Sequence, residues 1–239
     1  MATEEVRMLQ RELKMAGDKN DVALTVRTDN TPLRNKAAQV STILRVATGS
    51  ADYVPHVTTD QVKRMAVAAG RKKRKGERNS LLIKFLFDSC LRVSEALGVR
   101  PVDLQETPDG WTVQVMGKGS KPGVVAISRS IAAQLLSYCY RTRIGESERI
   151  FPVSRSQAFR IVTDAFDKAG MPRPSKERDH VGAVHILRHS GAIERLRLTG
   201  NPRAVQSQLR HQSALMTLRY LKTLSADESL KIQQGVELW

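Results

Sequence analysis

The stretch from 79 to 89 places the first limit on the fold. Leu81, Leu82, Ile83, Phe85, Leu86 and Phe87 crowd together there. At about 100° per residue they cover most of a helix's circumference, not one stripe. Such a helix has no face to give to water, so the rest of the chain has to wrap it. The wrapping pieces are mostly amphipathic helices, at 59–69, 130–143, 154–169, around 185–196, from 201 and from 213, with a last one at 225–236. Several carry start and stop signals. Ser154 and Gln157 form a capping box, Gly170 ends that helix ahead of Pro172, and Asn201-Pro202 pairs a side-chain cap with a proline that has no N–H to leave unbonded.

One region breaks the helical texture. Asp109-Gly110 is a turn signal, residues 111–116 alternate with Val113 and Val115 on one face, and residues 124–128 return after a glycine-rich turn at 117–123. The predicted class is therefore α+β: mainly α, with a small antiparallel β-sheet.

A length of 239 residues allows one large domain or two smaller ones. The net charge is +15, from 39 Lys+Arg against 24 Asp+Glu. Residues 1–55 hold 8 basic and 7 acidic side chains, leaving 31 against 17 for residues 56–239. The first part, with short helices at Val6, Leu9, Leu13 and Ala16 and again at 40–47, reads as a helical arm. The second carries nearly all of the excess positive charge. Such an excess suits a polyanionic partner, nucleic acid above all, because each neutralised phosphate releases counterions. An acidic protein or a membrane surface is the other reading of charge alone.

Cys90 and Cys139 lie in apolar surroundings without metal or redox spacing and read as small buried hydrophobes of a reduced compartment. The acidic start, Met-Ala-Thr-Glu-Glu-Val, has no signal-peptide character, and no run approaches about 18 apolar residues. A cytoplasmic location is expected, with no membrane partner.

Several residues are candidates for chemistry. Arg71, Lys72, Lys73, Arg74 and Lys75 form a basic run, read either as a solvated loop, as an import signal or as a contact to DNA phosphates; Lys121, Arg155 and Arg160 are further DNA-contact candidates. Arg92 sits between two apolar segments, either paired structurally with Glu95 or held by Glu95 to grip a phosphate. Lys118 stands at the hairpin tip between glycines, where a lysine is ordinarily just exposed. His185 and Arg188 lie roughly 60° apart on one helical face. His189, His211 and Tyr220 follow on the same and the next helices. Taken singly, each histidine fits a surface or a core role. Jointly, a guanidinium and imidazoles suit phosphate oxygens, and a tyrosine hydroxyl beside them is a nucleophile for phosphorus.

The joint pattern resembles the tyrosine site-specific recombinases of the phage and Xer-type integrase family. Leu-Arg-x-Ser-Glu-x-Leu stands at 91–97, Gly-Lys-Gly at 117–119, His-x-x-Arg-His at 185–189, Leu-x-His at 209–211, and Tyr220 nine residues after His211. The resemblance spans about residues 56–236. It implies a fold like that of tyrosine recombinase and type IB topoisomerase catalytic domains. The catalytic set would be Arg92, Lys118, His185, Arg188, His211 and Tyr220, with Glu95 and His189 in support. It implies strand cleavage through a 3′-phosphotyrosine, with Lys118 as general acid and His185 as base, and strand exchange through a Holliday junction in a homotetramer that is monomeric or dimeric when free. Neither metal, ATP nor any other cofactor would be needed. The task would be integration, excision or resolution of a mobile element or replicon.

Three departures stand out. Cys90 and Arg210 occupy positions where the family usually has glycine, and only the short arm at 1–55 precedes the catalytic domain where most relatives carry a core-binding domain. Two other functions fit parts of the pattern: a type IB topoisomerase or telomere resolvase with the same chemistry but no synapsis, and a regulator using 202–210 and 213–222 as a helix-turn-helix.

Overall fold

The computed structural model describes residues 55–117, 122–174, 182–221 and 223–225, with Glu228, Lys231, Ile232 and Gln234. The arm, Lys118, Lys121 and most of the helix expected at 225–236 lie outside the described residues.

Thr58 opens the first helix, α1 (Thr59–Gly70), with a complete capping box to Gln61. The basic run 71–75 forms the exposed turn into α2 (Gly76–Ser89). This is the core helix expected from its apolar run: Leu82, Ile83, Phe85 and Leu86 are buried, and Phe85 stacks on Phe151 with ring centres 5.7 Å apart. It starts three residues before position 79, because Gly76-Glu77-Arg78 reads locally as more of the charged loop. A short α3 (Val93–Ala96) and a 3-10 turn (Pro101–Asp103) lead into the sheet.

The sheet has three antiparallel strands in the order β1 (Leu104–Thr107), β2 (Gly110–Met116), β3 (Pro122–Ile127). The hairpin was expected; β1 was not, since its one buried residue, Leu104, leaves no alternation to read. Val113 faces Val125 and Trp111 faces Ile127 across the β2–β3 ladder, and the buried valines point at the core.

Five further helices follow among the described residues: α4 (Arg129–Thr142), α5 (Arg155–Lys168), α6 (Ala183–Thr199), α7 (Pro202–Leu209) and α8 (Leu215–Leu221). The Ser154 capping box and the Asn201 cap form as expected; the Asn201 side chain accepts from the N–H groups of Arg203 and Ala204. Two apolar clusters result. The larger joins α1, α2, the sheet, α4, α5 and the start of α6. The smaller, Cys90, Ala192, Ile193, Leu196, Val205, Leu209 and Tyr220, lies under α6, α7 and α8. At Gly191, α6 crosses α2 so closely that a Cβ would fall 1.9 Å from the Phe87 carbonyl oxygen and 2.8 Å from the Cys90 sulfur. Only glycine permits that approach, and through it the two clusters share one frame. Both cysteines are buried and free. No helix among the described residues is long and apolar enough to cross a membrane.

Candidate active site

The site forms where α2, α6, α7 and α8 converge. Arg92 follows the end of α2 and caps α3. Its backbone N–H donates to Glu95 Oε2 at 2.9 Å, and its Nη1 lies 3.1 Å from Glu95 Oε1. Glu95 is only 4% exposed at its side chain, whereas that of Arg92 is 41% exposed. The ion pair and the accessible guanidinium coexist: the carboxylate anchors Arg92, and part of the fork stays open. Burial alone would raise the Glu95 carboxyl, but the Arg92 N–H and the Arg210 guanidinium hold it below the ordinary carboxylate range.

α6 supplies three side chains. Arg188 is buried, and its guanidinium donates to the carbonyl of Cys90 with Nη1 and to that of Leu209 with Nη2, the latter at 2.9 Å. It thus joins the ends of α2 and α7. A guanidinium has five N–H donors, so two such bonds leave donors for a phosphate. His185 is exposed on the same helix, and its ring lies 6.3 Å from that of His189. His189 points the other way, with Nδ1 2.7 Å from the Tyr220 hydroxyl.

Tyr220 comes from α8 with its ring inside the smaller apolar cluster, 1% exposed. His211, beyond the end of α7, stacks on it with ring centres 6.4 Å apart and planes at 11°. His211 Nδ1 is fixed at 2.9 Å by Thr217 Oγ1, a partner one α8 turn before Tyr220. Burial and the surrounding cations set the protonation of this group. Burial, then His185 and Arg188, pushes His189 down to about 3; burial, then Arg188 and Arg92, pushes His211 down to about 4; His185 falls for the same reasons. Burial raises the Tyr220 hydroxyl to about 12 despite the opposing pull of Arg188. Near neutral pH the group therefore holds neutral imidazoles, a neutral phenol and two guanidiniums.

Of the residues singled out in the sequence, Arg92, Glu95, His185, Arg188, His189, His211 and Tyr220 are brought together. The hydrogen-bond partner of the Tyr220 hydroxyl is His189, while His185, which the resemblance implies as acceptor of the tyrosine proton, is exposed one helical turn away on α6. Lys118 and Lys121 lie outside the described residues. Arg155 and Arg160 are exposed on the first turns of α5 and line, with Phe159, a cleft that runs to His185. Arg71 to Lys75 are exposed in the α1–α2 turn, where Lys72 is ion-paired with Asp164 at 2.7 Å. Sequence reading misses the partners of Arg188 and the place of Arg210; the one local signal for the latter is a long side chain where the resemblance implies glycine.

The phage integrase family matches residues 55–226. Among curated relatives, tyrosine recombinase XerD of Chlorobaculum tepidum is 30% identical over 185 residues, 71% of this chain and 58% of that protein. XerD of Corynebacterium glutamicum is 28% identical over 168 residues, 66% of this chain and 52% of that protein. The chain thus spans little more than half the length of these relatives. Among solved structures, the XerH site-specific recombinase bound to its difH substrate aligns with a TM-score of 0.58 at 20% identity, covering 75% of this chain and 53% of that one. The catalytic domain of bacteriophage HP1 integrase aligns at 0.56 and 16% identity, covering 77% of this chain and 96% of that domain. At these identities the structural likeness bears on the fold: a tyrosine recombinase catalytic domain.

Proposed function

The chain belongs to the phage integrase family, and from that premise we propose that it is a site-specific DNA recombinase with Tyr220 as nucleophile. The observation that carries the reading is the Tyr220 hydroxyl held 2.7 Å from a neutral imidazole, beside two guanidiniums of which one stays partly open. A double-stranded recombination site lies along the basic face, with Arg71 to Lys75, Lys121, Arg155 and Arg160 against its backbone. Arg92, Arg188, His185 and His211 surround the scissile phosphate and stabilise the charge of its pentacoordinate transition state.

Tyr220 Oη bonds to phosphorus as the bond to the 5′ oxygen breaks. The phenolic proton passes to His189, the imidazole at hydrogen-bond distance from the hydroxyl, and the departing 5′ oxygen takes a proton from Lys118. The product is a 3′-phosphotyrosine and a 5′ hydroxyl. The ester conserves the energy of the cleaved bond, so religation needs no ATP, and the guanidiniums do the electrostatic work that a metal ion does in other phosphoryl transfers. Four protomers exchange strands through a Holliday junction, serving integration, excision or resolution of a mobile element or replicon in the nucleoid of a bacterial or viral system. Two curated relatives, both named tyrosine recombinase XerD, support the recombinase part of this reading.

The test is denaturing electrophoresis of the protein with a nicked suicide duplex obtained by binding selection, without metal or ATP, beside Tyr220→Phe. A protease-sensitive covalent band that Tyr220→Phe abolishes is the expected result. A duplex that is bound but never linked to the protein would sink the reading and leave a DNA-binding regulator.

A further inference from the structure

Arg210 occupies a backbone position made for glycine. Its φ is +53°, in the left-handed region where a side chain is strained. The turn gains nothing from arginine, so the reason for it lies in where the side chain goes. It runs inward, 18% exposed, and Nη2 forms an ion pair with Glu95 Oε1. That is the oxygen Arg92 Nη1 approaches at 3.1 Å. On its other side the guanidinium lies against Gly123 of β3, where a Cβ would come within 2.6 Å of Nη1 and 2.8 Å of Cδ. Gln208, two residues earlier, fastens the same strand by accepting from the Ala126 N–H at 3.0 Å and donating to its carbonyl at 2.8 Å.

The charges explain why a second cation matters here. A carboxylate paired with Arg92 alone cancels that guanidinium's charge and draws it away from any phosphate. With Arg210 on the same oxygen the trio carries a net positive charge, and Glu95 becomes an anchor for Arg92 instead of a competitor. The bridge also joins three segments that the reaction needs aligned: the Arg92 turn, the His211 turn and the strand leaving the hairpin.

We propose that Arg210 is a positioning residue for DNA cleavage: it neutralises Glu95 so that Arg92 presents uncompensated positive charge to the scissile phosphate, and it locks β3 to that anchor. The inference rests on the recombinase reading and goes beyond it, because the family usually has glycine at this position.

Single-turnover adduct formation on the suicide duplex tests it, with the scissile phosphate either native or replaced by an uncharged methylphosphonate. Arg210→Gly, which keeps the turn, is expected to slow cleavage of the native ester by roughly tenfold to a hundredfold and to change the duplex Kd by no more than about threefold. Arg210→Lys, which restores the charge, regains most of the rate. On methylphosphonate, whose ground state has no anionic oxygen and whose transition state carries one negative charge fewer, the penalty of Arg210→Gly shrinks. Gly123→Ala, whose methyl displaces the guanidinium, slows the wild type and is silent in the Arg210→Gly background.

The inference is overturned if Arg210→Gly cleaves the native ester at the wild-type rate, if both substrates slow equally, or if the lysine variant is as slow as the glycine variant. Absence of an adduct with the wild-type protein would overturn the recombinase reading and this inference with it. A wild-type adduct with an unaffected variant overturns the inference alone.

Discussion

Of the three described helix ends with a non-glycine residue in the left-handed region, at Cys90, Arg143 and Arg210, two border the candidate site and differ in what they do with that backbone. Cys90 ends α2 with φ +54°, Arg210 ends α7 with φ +53°, and each stands one or two residues before a side chain of the candidate site, Arg92 or His211. The carbonyls that these helix ends leave without intrahelical partners carry the negative end of the helix dipole. Arg188 reaches one at each turn, Cys90 O and Leu209 O, and so binds the two turns to one guanidinium. Past that common frame they diverge. The Cys90 side chain is fully buried against Gly191, and burial pushes its thiol up to about 11, so it is inert packing. The Arg210 side chain crosses to Glu95. A strained residue in a left-handed turn therefore signals a function only where its side chain reaches something the backbone does not.

Arg188 is where the comparison breaks most completely. Arg188→Ala leaves two carbonyls without donors in the interior, at about 1–3 kcal/mol each. We expect a loss of roughly 2–5 kcal/mol in urea unfolding together with a fall in single-turnover cleavage of about a thousandfold. Arg188→Lys keeps the charge but not the fork, so it should recover part of the stability and little of the rate. Unchanged stability in the alanine variant would mean that the turns do not depend on the bridge.

Protonation separates the turns less drastically. His189 and His211 have folded values of about 3 and about 4, below the unfolded imidazole value of about 6.5. Between those limits the unfolded chain binds protons that the folded one excludes, so stability falls as pH drops from about 6.5 and levels off near the folded values. Tyr220, raised to about 12, acts at the other end, where the unfolded phenol ionises first and stability falls as pH rises above about 10. Melting temperatures across pH should show this plateau. His189→Gln should flatten the acid flank by about one proton's worth of slope, and an unchanged flank would contradict the buried, neutral His189.

How far these features could be read in advance follows from how local they are. The apolar run of α2, the Ser154 and Asn201 caps and the β2–β3 hairpin all rest on neighbours within a few residues, and all are present in the structure. β1 escaped because Leu104-Gln105-Glu106-Thr107 buries one residue and becomes a strand only when β2 arrives beside it. The clustering of His185, Arg188, His211 and Tyr220 was legible through the family pattern. Their partners were not: Arg188 reaches across 98 and 21 positions to its two carbonyls, and the bond between His189 and Tyr220 spans 31. Arg210 was visible as a departure from glycine, but nothing near it in sequence points to Glu95.

The smallest effect is the most direct check on the turns themselves. Cys90→Gly removes a left-handed strain of about 1 kcal/mol and gives up the burial of one small side chain, worth about as much. Net stability should therefore stay within about 1 kcal/mol of wild type. Cys90→Ala keeps the strain and loses the sulfur, so it should be less stable than the glycine variant by about 1 kcal/mol. That order, glycine above alanine at a buried site, is the reverse of what packing alone dictates and is the signature of the left-handed backbone. The cleavage rate should follow neither change, since the Cys90 group used by the site is its carbonyl. Were Cys90→Gly to slow cleavage as much as Arg210→Gly, the two side chains would not differ in role, and Arg210 would be one more piece of turn packing.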